Sequence, residues 1–342
     1  MKLSIHSLID ISTYAGCRVD YTQGGGGNTS VKTPDGKILL IKASGYKLKD
    51  VCPTNAFVCV DQQKILSFYQ NVNQNDGENN EKLSSQMVKD STLTIEGLPN
   101  LRPSVEVGFH AILSKYVIHT HSVYANVLAC SNEGELLAQK IFEDKDYGVV
   151  FLPYINPGFE LTLAMKSVIE NYQAKNGKLP EVIFMKNHGL VVTSDTLDRV
   201  KDVHTDVNLT IEKYFNLTGL LTEINLKQTP NGYLSKTKII SDFIKENGLS
   251  LELLNKYPLY PDQLVYLNNL LYATPELMKI DGRKVEYNTD LKQATTLEET
   301  LAAYAFVIKA VKDNGLTLST MSQQEVAFIN GWEAEKYRRS VK

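Results

Sequence analysis

The sequence predicts an α/β protein whose main domain is a three-layer sandwich, with helices on both faces of a largely antiparallel or mixed sheet. Strand-like and helix-like segments alternate up to about residue 220, but they do not form regular β-α-β units. One connection, in "SVKTPDGKILLIKA", has the turn residues of a tight hairpin between neighbouring strands. From about residue 235 the pattern becomes mostly helical, which indicates a second unit.

The first half of the main domain opens with a helix, because "LSIHSLIDISTYAGCRV" places its apolar residues at helical spacing. Strands are then predicted in "SVKT", "KILLIKA", "AFVCVD" and "KILSF". The polar, Asn-rich stretch "YQNVNQNDGENNEK" predicts a surface loop. "SVEVGFHAILSK" predicts a helix with Ser104 as its N-cap, "YVIHTHS" a strand and "VYANVLACS" a helix.

The second half continues the alternation. "YGVVFLPYI" and "EVIFMKNHG" predict strands, and "ELTLAMKSVIENYQAKNG" between them predicts a helix that ends at Gly177. A long amphipathic helix follows and closes at Gly219. These elements define a domain over residues 1–225, and residues 235–342 form a mostly helical C-terminal unit of unknown role in which "RKVEYN" is at best a short strand.

The overall charge and cysteine content exclude several classes of protein. The net charge is −3, so no global basic field attracts nucleic acid or an acidic membrane. No apolar run approaches the roughly 18 residues of a membrane helix, and the start "MKLSIHSLIDIS" lacks the features of a signal peptide. The four cysteines show no paired metal-type spacing and lie mostly in apolar runs, which predicts a reduced, cytoplasmic protein.

Three histidines have the pattern of a metal site. His119 and His121 are two apart on a predicted strand, so both point to the same face and can bind one ion. His-x-His alone does not decide between a metal site and two unrelated histidines. His188 ends another predicted strand, and three imidazoles from two strands leave an open position for substrate, as in a catalytic zinc site.

A carboxylate accompanies these histidines. Glu106 lies in the first turn of a predicted helix, where it is a fourth ligand, a proton-transfer base, or both at different stages. His110 shares a helix face with Glu106, and we interpret it as packing behind the ligands.

The run "GGGGNTS" is either a flexible linker or an anion cradle, and composition leaves that choice open. The segment lacks the following helix of a dinucleotide fingerprint and the Gly-Lys-Ser/Thr of a phosphate-binding loop, so both nucleotide motifs are excluded.

Taken in order, "GGGGNTSVK", "IKASG", "RPSVEVGFH", "VIHTHS" and "NHGLVV" resemble the class II aldolase/adducin family, typified by L-fuculose-1-phosphate aldolase, over roughly residues 5–220. The resemblance implies the class II aldolase-like α/β/α fold, one Zn²⁺ per chain on His119, His121 and His188, and Glu106 as the catalytic acid/base. It also implies a phosphate site, formed by Gly27, Asn28, Ser44, Gly45 and Ser104.

Two positions qualify the resemblance. Val105 stands where the family often has a second hydroxyl, which removes one donor to a phosphate. Tyr154, in "LPYINPG", matches a Pro-Tyr of the family and joins His110 as a candidate for the surroundings of the site.

The resemblance implies a zinc-dependent aldolase that cleaves a phosphorylated ketose through an enediolate to dihydroxyacetone phosphate and an aldehyde. Pentulose-phosphate 4-epimerases, dehydratases and decarboxylases use the same scaffold and remain alternatives. A non-catalytic adducin-type module is a further alternative, although such modules lack the zinc histidines that are present here. The expected partners are a small sugar or sugar phosphate and further copies of the chain in a homotetramer, with no nucleic acid or membrane.

Overall fold

A seven-stranded sheet forms the centre of the protein. The structure, a computed structural model, describes residues 2–72, 77–268, 277–282 and 284–331. In chain order the strands are β1 Asn28–Lys32, β2 Ile38–Lys42, β3 Phe57–Asp61, β4 Tyr116–Thr120, β5 Val149–Leu152, β6 Val182–Met185 and β7 Gly189–Ser194. They lie in the order β3-β2-β1-β4-β7-β6-β5, and all neighbours are antiparallel except the pair β5 and β6.

Helices cover both faces of this sheet. They are α1 Lys2–Gly16, α2 Gln62–Asn71, α3 Gly77–Ser91, α4 Val107–Ile112, α5 Val123–Ala129, α6 Gly134–Ile141, α7 Phe159–Asn176 and α8 Leu197–Tyr214. Helices α1, α5 and α8 pack on one face, and α2, α4 and α7 pack on the other. Alternate strand residues enter opposite cores, as Val117 and Ile118 of β4 do, because successive side chains of a strand point to opposite faces. The predicted three-layer α/β fold with a largely antiparallel sheet is confirmed.

Two local predictions were wrong. "KILSF" lies in helix α2, because the Asp61 carboxylate accepts hydrogen bonds from the Gln63 and Lys64 amides and caps a helix there. The predicted loop around residues 69–82 is largely helical, since α2 runs to Asn71 and α3 begins at Gly77. Residues 73–76 of that segment lie outside the described part of the chain.

The C-terminal region, from residue 226 onward, is helical and adds a second antiparallel sheet. Its strands, in the order β10-β11-β9-β8, are β8 Leu226–Thr229, β9 Gly232–Ser235, β10 Met278–Asp281 and β11 Lys284–Tyr287. Its helices are α9 Lys238–Asn247, α10 Leu251–Lys256, a π-helix Gln263–Asn268, α11 Leu291–Asp313 and α12 Gln323–Gly331. Of this sheet, the sequence predicts only the short strand in "RKVEYN".

Helix α11 attaches the C-terminal region to the main domain. It is buried along most of its length and packs against α5, where the rings of Tyr124 and Phe306 meet edge to face at 5.5 Å. One apolar cluster therefore runs continuously from the sheet into the C-terminal region. Among the described helices, none is both long and apolar enough to span a lipid bilayer.

Candidate functional site

Three buried histidines meet at one end of the central sheet. His119 is in β4, His121 follows directly after that strand, and His188 lies in the turn between β6 and β7. Each offers one ring nitrogen to a group in which all these nitrogens lie within 4.8 Å of one another. The ring centroids are 4.9 to 5.3 Å apart. The structure thus brings together the three histidines that the sequence singled out.

The register of the sheet produces this convergence. Thr120 at the end of β4 lies opposite Leu190 in β7, so the turn that carries His188 adjoins the end of β4. Gly189 makes this approach possible, because a Cβ at that position would lie 2.4 Å from the Thr120 carbonyl oxygen. The turn is also anchored from behind, where the Asn187 amide donates to the Leu259 carbonyl at 2.8 Å.

Hydrogen bonds determine which ring nitrogen of His119 and of His121 faces the centre of the histidine group. Nδ1 of His119 donates to the Leu190 carbonyl at 3.0 Å, so its Nε2 carries the lone pair. Nδ1 of His121 donates to the carboxylate of Asp262 at 2.5 Å, with the same result. Burial lowers the pKa of His119 well below its usual range, so this ring is neutral, which is the form that binds a metal.

Glu106 lies against the same histidines. Its carboxylate oxygens are 3.6 Å from Nε2 of His119 and 3.3 Å from Nε2 of His188, and the Asn28 amide donates to it at 2.6 Å. Burial acts to raise the pKa of this carboxyl, but the attraction that the His119 and His188 rings exert when protonated, and the hydrogen bonds from His188 and the Asn28 amide, outweigh burial and hold the pKa well below its usual range. A buried, ionised carboxylate beside three imidazoles is the result.

This donor set fits a divalent zinc ion. Three imidazoles and one nearby carboxylate are ligands that Zn²⁺ takes in catalytic sites.

A chain of buried polar groups holds Asn28 in place. The Asn28 carbonyl oxygen accepts from Nε2 of His110, and the other ring nitrogen of His110 accepts from the Ser30 hydroxyl at 2.7 Å. His110 has no exposed surface, and burial lowers its pKa to about 3, so the ring stays neutral. His110 therefore contacts Asn28, which in turn contacts Glu106.

A pocket opens in front of the histidines and Glu106. The residues lining it are Gly25, Gly27, Asn28, Lys42, Ser44, Gly45, Ser104, Val105, Glu106, His121, Pro157, His188 and Pro261. All five residues that the resemblance implied for the phosphate site are among them. The glycine run forms one wall, and Ser44 and Ser104 face it from neighbouring segments.

The structure differs in detail from the predictions for two residues around the site, Ser104 and Tyr154. Helix α4 begins at Val107, so Ser104 precedes the helix, and its hydroxyl accepts from the Asn28 amide at 3.2 Å and from the backbone amide of Glu106 at 3.3 Å. Tyr154 packs with Leu264 and Val265 of the π-helix and is not among the described residues that line the pocket.

The structure places two further charged residues here, Lys42 and Asp262, that are not among the residues predicted from the sequence. The Lys42 ammonium is nearly buried in the pocket wall and donates to the carbonyls of Gly25 and Gly27 at 2.8 and 2.9 Å. Lys42 precedes Ser44 by two positions, and this spacing was its one sequence signal. Asp262, in "YPDQL", had no local signal, because its partner His121 is 141 positions away.

Comparison with known proteins identifies the fold and the family. A model of the Class II Aldolase and Adducin N-terminal domain matches residues 8–213, which is more than half of the chain. The N-terminal class II aldolase domain of a conserved Thermoplasma acidophilum protein has a TM-score of 0.50 and 25% identity, over 61% of this chain and 92% of that one.

Two curated relatives also match. "Uncharacterized oxidoreductase YuxG" of Bacillus subtilis is 28% identical over 200 residues, which are 56% of this chain and 27% of that protein. The chain thus spans about a quarter of the length of that relative. The 3-oxo-tetronate 4-phosphate decarboxylase of Haemophilus influenzae is 24% identical over 233 residues, 62% of this chain and 89% of that protein. The predicted membership of the class II aldolase/adducin family is confirmed.

Proposed function

The chain belongs to the Class II Aldolase and Adducin N-terminal domain family, and from that premise we propose that it is a zinc-dependent aldolase. The proposed reaction cleaves a phosphorylated ketose through an enediolate and releases dihydroxyacetone phosphate and an aldehyde. The observation that carries this proposal is the convergence of three buried imidazoles and the Glu106 carboxylate on one pocket. Residues 1–225 would form the catalytic domain, with the C-terminal unit packed against it.

His119, His121 and His188 would hold one zinc ion per chain. When bound, zinc supplies positive charge that polarises the substrate carbonyl and stabilises the negative charge of the enediolate.

Glu106 is the proposed proton-transfer group. In the direction of synthesis, its ionised carboxylate would remove a proton from the hydroxymethyl carbon of dihydroxyacetone phosphate. In the direction of cleavage, it would return that proton to the same carbon. The Asn28 amide holds the carboxylate at the pocket and supports its ionised form. The low exposure of Glu106, 7%, limits competition from water.

The pocket wall supports an anionic substrate. Lys42 places a buried positive charge beneath the glycine run, and Gly27, Asn28, Ser44, Gly45 and Ser104 add hydroxyls, an amide side chain and backbone N–H groups nearby. We infer that Lys42 compensates for the hydroxyl that Val105 does not provide, and that the substrate's phosphate lies at this wall.

A decarboxylase is the second candidate. It is favoured by the similarity to 3-oxo-tetronate 4-phosphate decarboxylase, which extends over 89% of that relative. Loss of carbon dioxide from a 3-oxo acid leaves an enolate, so the same charged intermediate would suit the same residues. Epimerase and dehydratase chemistry on this scaffold are further outcomes of the same test.

In the experiment, the purified full chain is loaded with zinc and incubated with a panel of ketose 1-phosphates and phosphorylated 3-oxo acids. Dihydroxyacetone phosphate, epimer formation and carbon dioxide are measured separately. We expect dihydroxyacetone phosphate and an aldehyde from a ketose 1-phosphate, with kcat about 10² to 10⁴-fold lower in Glu106→Gln. The exposed His6→Gln is the matched control. Carbon dioxide and dihydroxyacetone phosphate released together from a phosphorylated 3-oxo acid, with no cleavage of a ketose 1-phosphate, would establish the second candidate, and epimer without triose would point to a 4-epimerase.

Metal analysis tests the ion itself. We expect about one zinc per chain, lost in His119→Ala and His121→Ala and removed by a chelator with loss of activity. A folded protein that binds no added zinc would contradict the proposal and favour a non-catalytic module. We further propose a homotetramer, which sedimentation measurements on the zinc-loaded protein can test.

A further inference from the structure

The C-terminal region reaches the histidine group through one buried carboxylate. Asp262 directly precedes the π-helix Gln263–Asn268 and has no exposed surface. Its Oδ2 lies 2.5 Å from Nδ1 of His121. A residue of the C-terminal region is therefore in direct contact with one of the three proposed metal ligands.

This contact fixes the chemistry of the His121 ring. The Asp262 carboxylate accepts this hydrogen bond from Nδ1 of His121, so Nδ1 carries the hydrogen and Nε2 carries the lone pair. Nε2 then faces Nε2 of His119 at 3.2 Å, inside the group. Such a carboxylate also increases the basicity of the imidazole and fixes its orientation.

Among the described residues, neither of the other two histidines has a charged partner on its Nδ1. Nδ1 of His119 donates to a neutral backbone carbonyl, that of Leu190. Nδ1 of His188 is buried and has no hydrogen-bond partner among the described residues. Among the described residues, Asp262 is thus the carboxylate that contacts one of these histidines on the ring nitrogen that faces away from the metal position.

The glycine run is shaped around this pair. A Cβ on Gly26 would lie 2.1 Å from Oδ2 of Asp262 and 2.8 Å from Nδ1 of His121, so a larger residue would displace one of the two. The backbone amide of Gly25 donates to the Tyr266 hydroxyl at 3.1 Å, and that of Gly24 to the Glu299 carboxylate at 3.0 Å. The run therefore connects the histidine site to the C-terminal region over several residues.

We propose that Asp262 is a positioning residue for His121. It holds the imidazole in the tautomer and orientation that present Nε2 to the metal, and so makes correct packing of the C-terminal region a condition for tight metal binding. The proposal rests on the proposed function only in requiring a metal at the three histidines. It does not depend on which sugar the enzyme takes.

The test compares zinc affinities of the full-length wild-type protein, Asp262→Asn, Asp262→Ala and Tyr266→Phe, by competition with a chelating dye. Tyr266→Phe is the matched control, because it removes a contact between the glycine run and the C-terminal region without touching His121. We expect 10- to 100-fold weaker zinc binding in Asp262→Ala, a smaller loss in Asp262→Asn, which can still accept the hydrogen bond, and a change below about threefold in the control.

A second measurement separates positioning from general destabilisation. Cobalt(II) replaces zinc, and its visible spectrum reports the ligand field of the bound histidines. We expect an altered spectrum in Asp262→Asn, with wild-type circular dichroism, and an unaltered spectrum in Tyr266→Phe. The near-isosteric Asp262→Asn keeps the test valid if Asp262→Ala does not fold.

The outcomes distinguish the two proposals. Wild-type affinity and spectrum in both Asp262 variants would overturn the positioning role, whatever the activity. If the wild-type protein binds zinc tightly and the Asp262 variants bind it weakly, the positioning role holds even if no aldolase activity is found. A wild-type protein that binds neither ion would overturn both.

Discussion

The side-chain amide of Asn28 donates a hydrogen bond to the carboxylate of Glu106, with 2.6 Å between nitrogen and oxygen. Asn28 occupies this position because it lies opposite His119 in the pairing of β1 with β4. Its carbonyl oxygen is held in turn by His110, which contacts Ser30. The orientation of Glu106 thus depends on a buried chain of hydrogen bonds that runs from Ser30 through His110 to Asn28.

We expect His110→Phe to weaken both stability and activity. Phe fills the ring volume but leaves the Ser30 hydroxyl and the Asn28 carbonyl without partners in the interior. Each unsatisfied group costs about 1–3 kcal/mol, so we expect the free energy of unfolding to fall by about 2–6 kcal/mol, and kcat to fall by about tenfold as Asn28 reorients. Urea unfolding and steady-state kinetics measure these changes. His6→Gln, in the exposed face of α1, should leave both unchanged.

We expect Gly26→Ala to disrupt the Asp262–His121 contact. The added methyl group would meet Oδ2 of Asp262 at 2.1 Å, which forces the carboxylate or the glycine run to move. Such overpacking costs about 1–3 kcal/mol in the free energy of unfolding, and zinc affinity should fall with it. Gly331→Ala is the control, because a Cβ at that position meets nothing within 4 Å. Equal stability and zinc affinity in both variants would contradict the close packing at Gly26.

We expect Lys42→Met to change the preference for phosphorylated substrates. Removing the buried ammonium takes away a charge-assisted interaction worth about 1.5–3 kcal/mol. The value of kcat/KM should therefore fall by about 10- to 100-fold more for a ketose 1-phosphate than for the unphosphorylated ketose. Lys37→Met, an exposed lysine of the same hairpin, is the control. A parallel loss for both substrates would mean that Lys42 acts only by holding the glycine carbonyls.

We expect Glu298→Gln to alter the pH dependence of stability. Glu298 is fully buried in α11 and accepts from the Ser235 and Tyr287 hydroxyls at 2.7 and 2.5 Å, and burial raises the pKa of its carboxyl above the usual 4.5. Between 4.5 and the raised pKa, the folded state retains a proton that the unfolded state has lost. The contribution of Glu298 to stability is therefore fully present below pH 4.5 and is lost as the pH rises through the folded-state pKa.

The measurement for this prediction is the difference in the free energy of unfolding between the wild-type protein and Glu298→Gln at several pH values. Relative to the variant, the wild-type protein should lose stability as the pH rises from 4.5 toward 7. Glu252→Gln, an exposed change in α10, should show no such trend against the wild type. A difference independent of pH would contradict a raised pKa at Glu298.

The sequence by itself determined the fold class and the members of the histidine site. Strand alternation places His119 and His121 on one face, and the turn glycine after His188 marks where its strand ends, so these signals lie within a few residues of each other. The family assignment came from short motifs in a fixed order, which are likewise visible in the sequence alone. Both outcomes depend on short-range patterns that a single chain displays.

Only the tertiary structure decided how these groups are held. The pairing register placed Asn28 beside Glu106, and packing of α11 against both α5 and the π-helix accompanies the contact of Asp262 with His121, 141 positions away. Packing likewise directed Tyr154 toward the π-helix. No local pattern encodes such contacts, because they depend on which apolar faces meet when separate elements bury their surface.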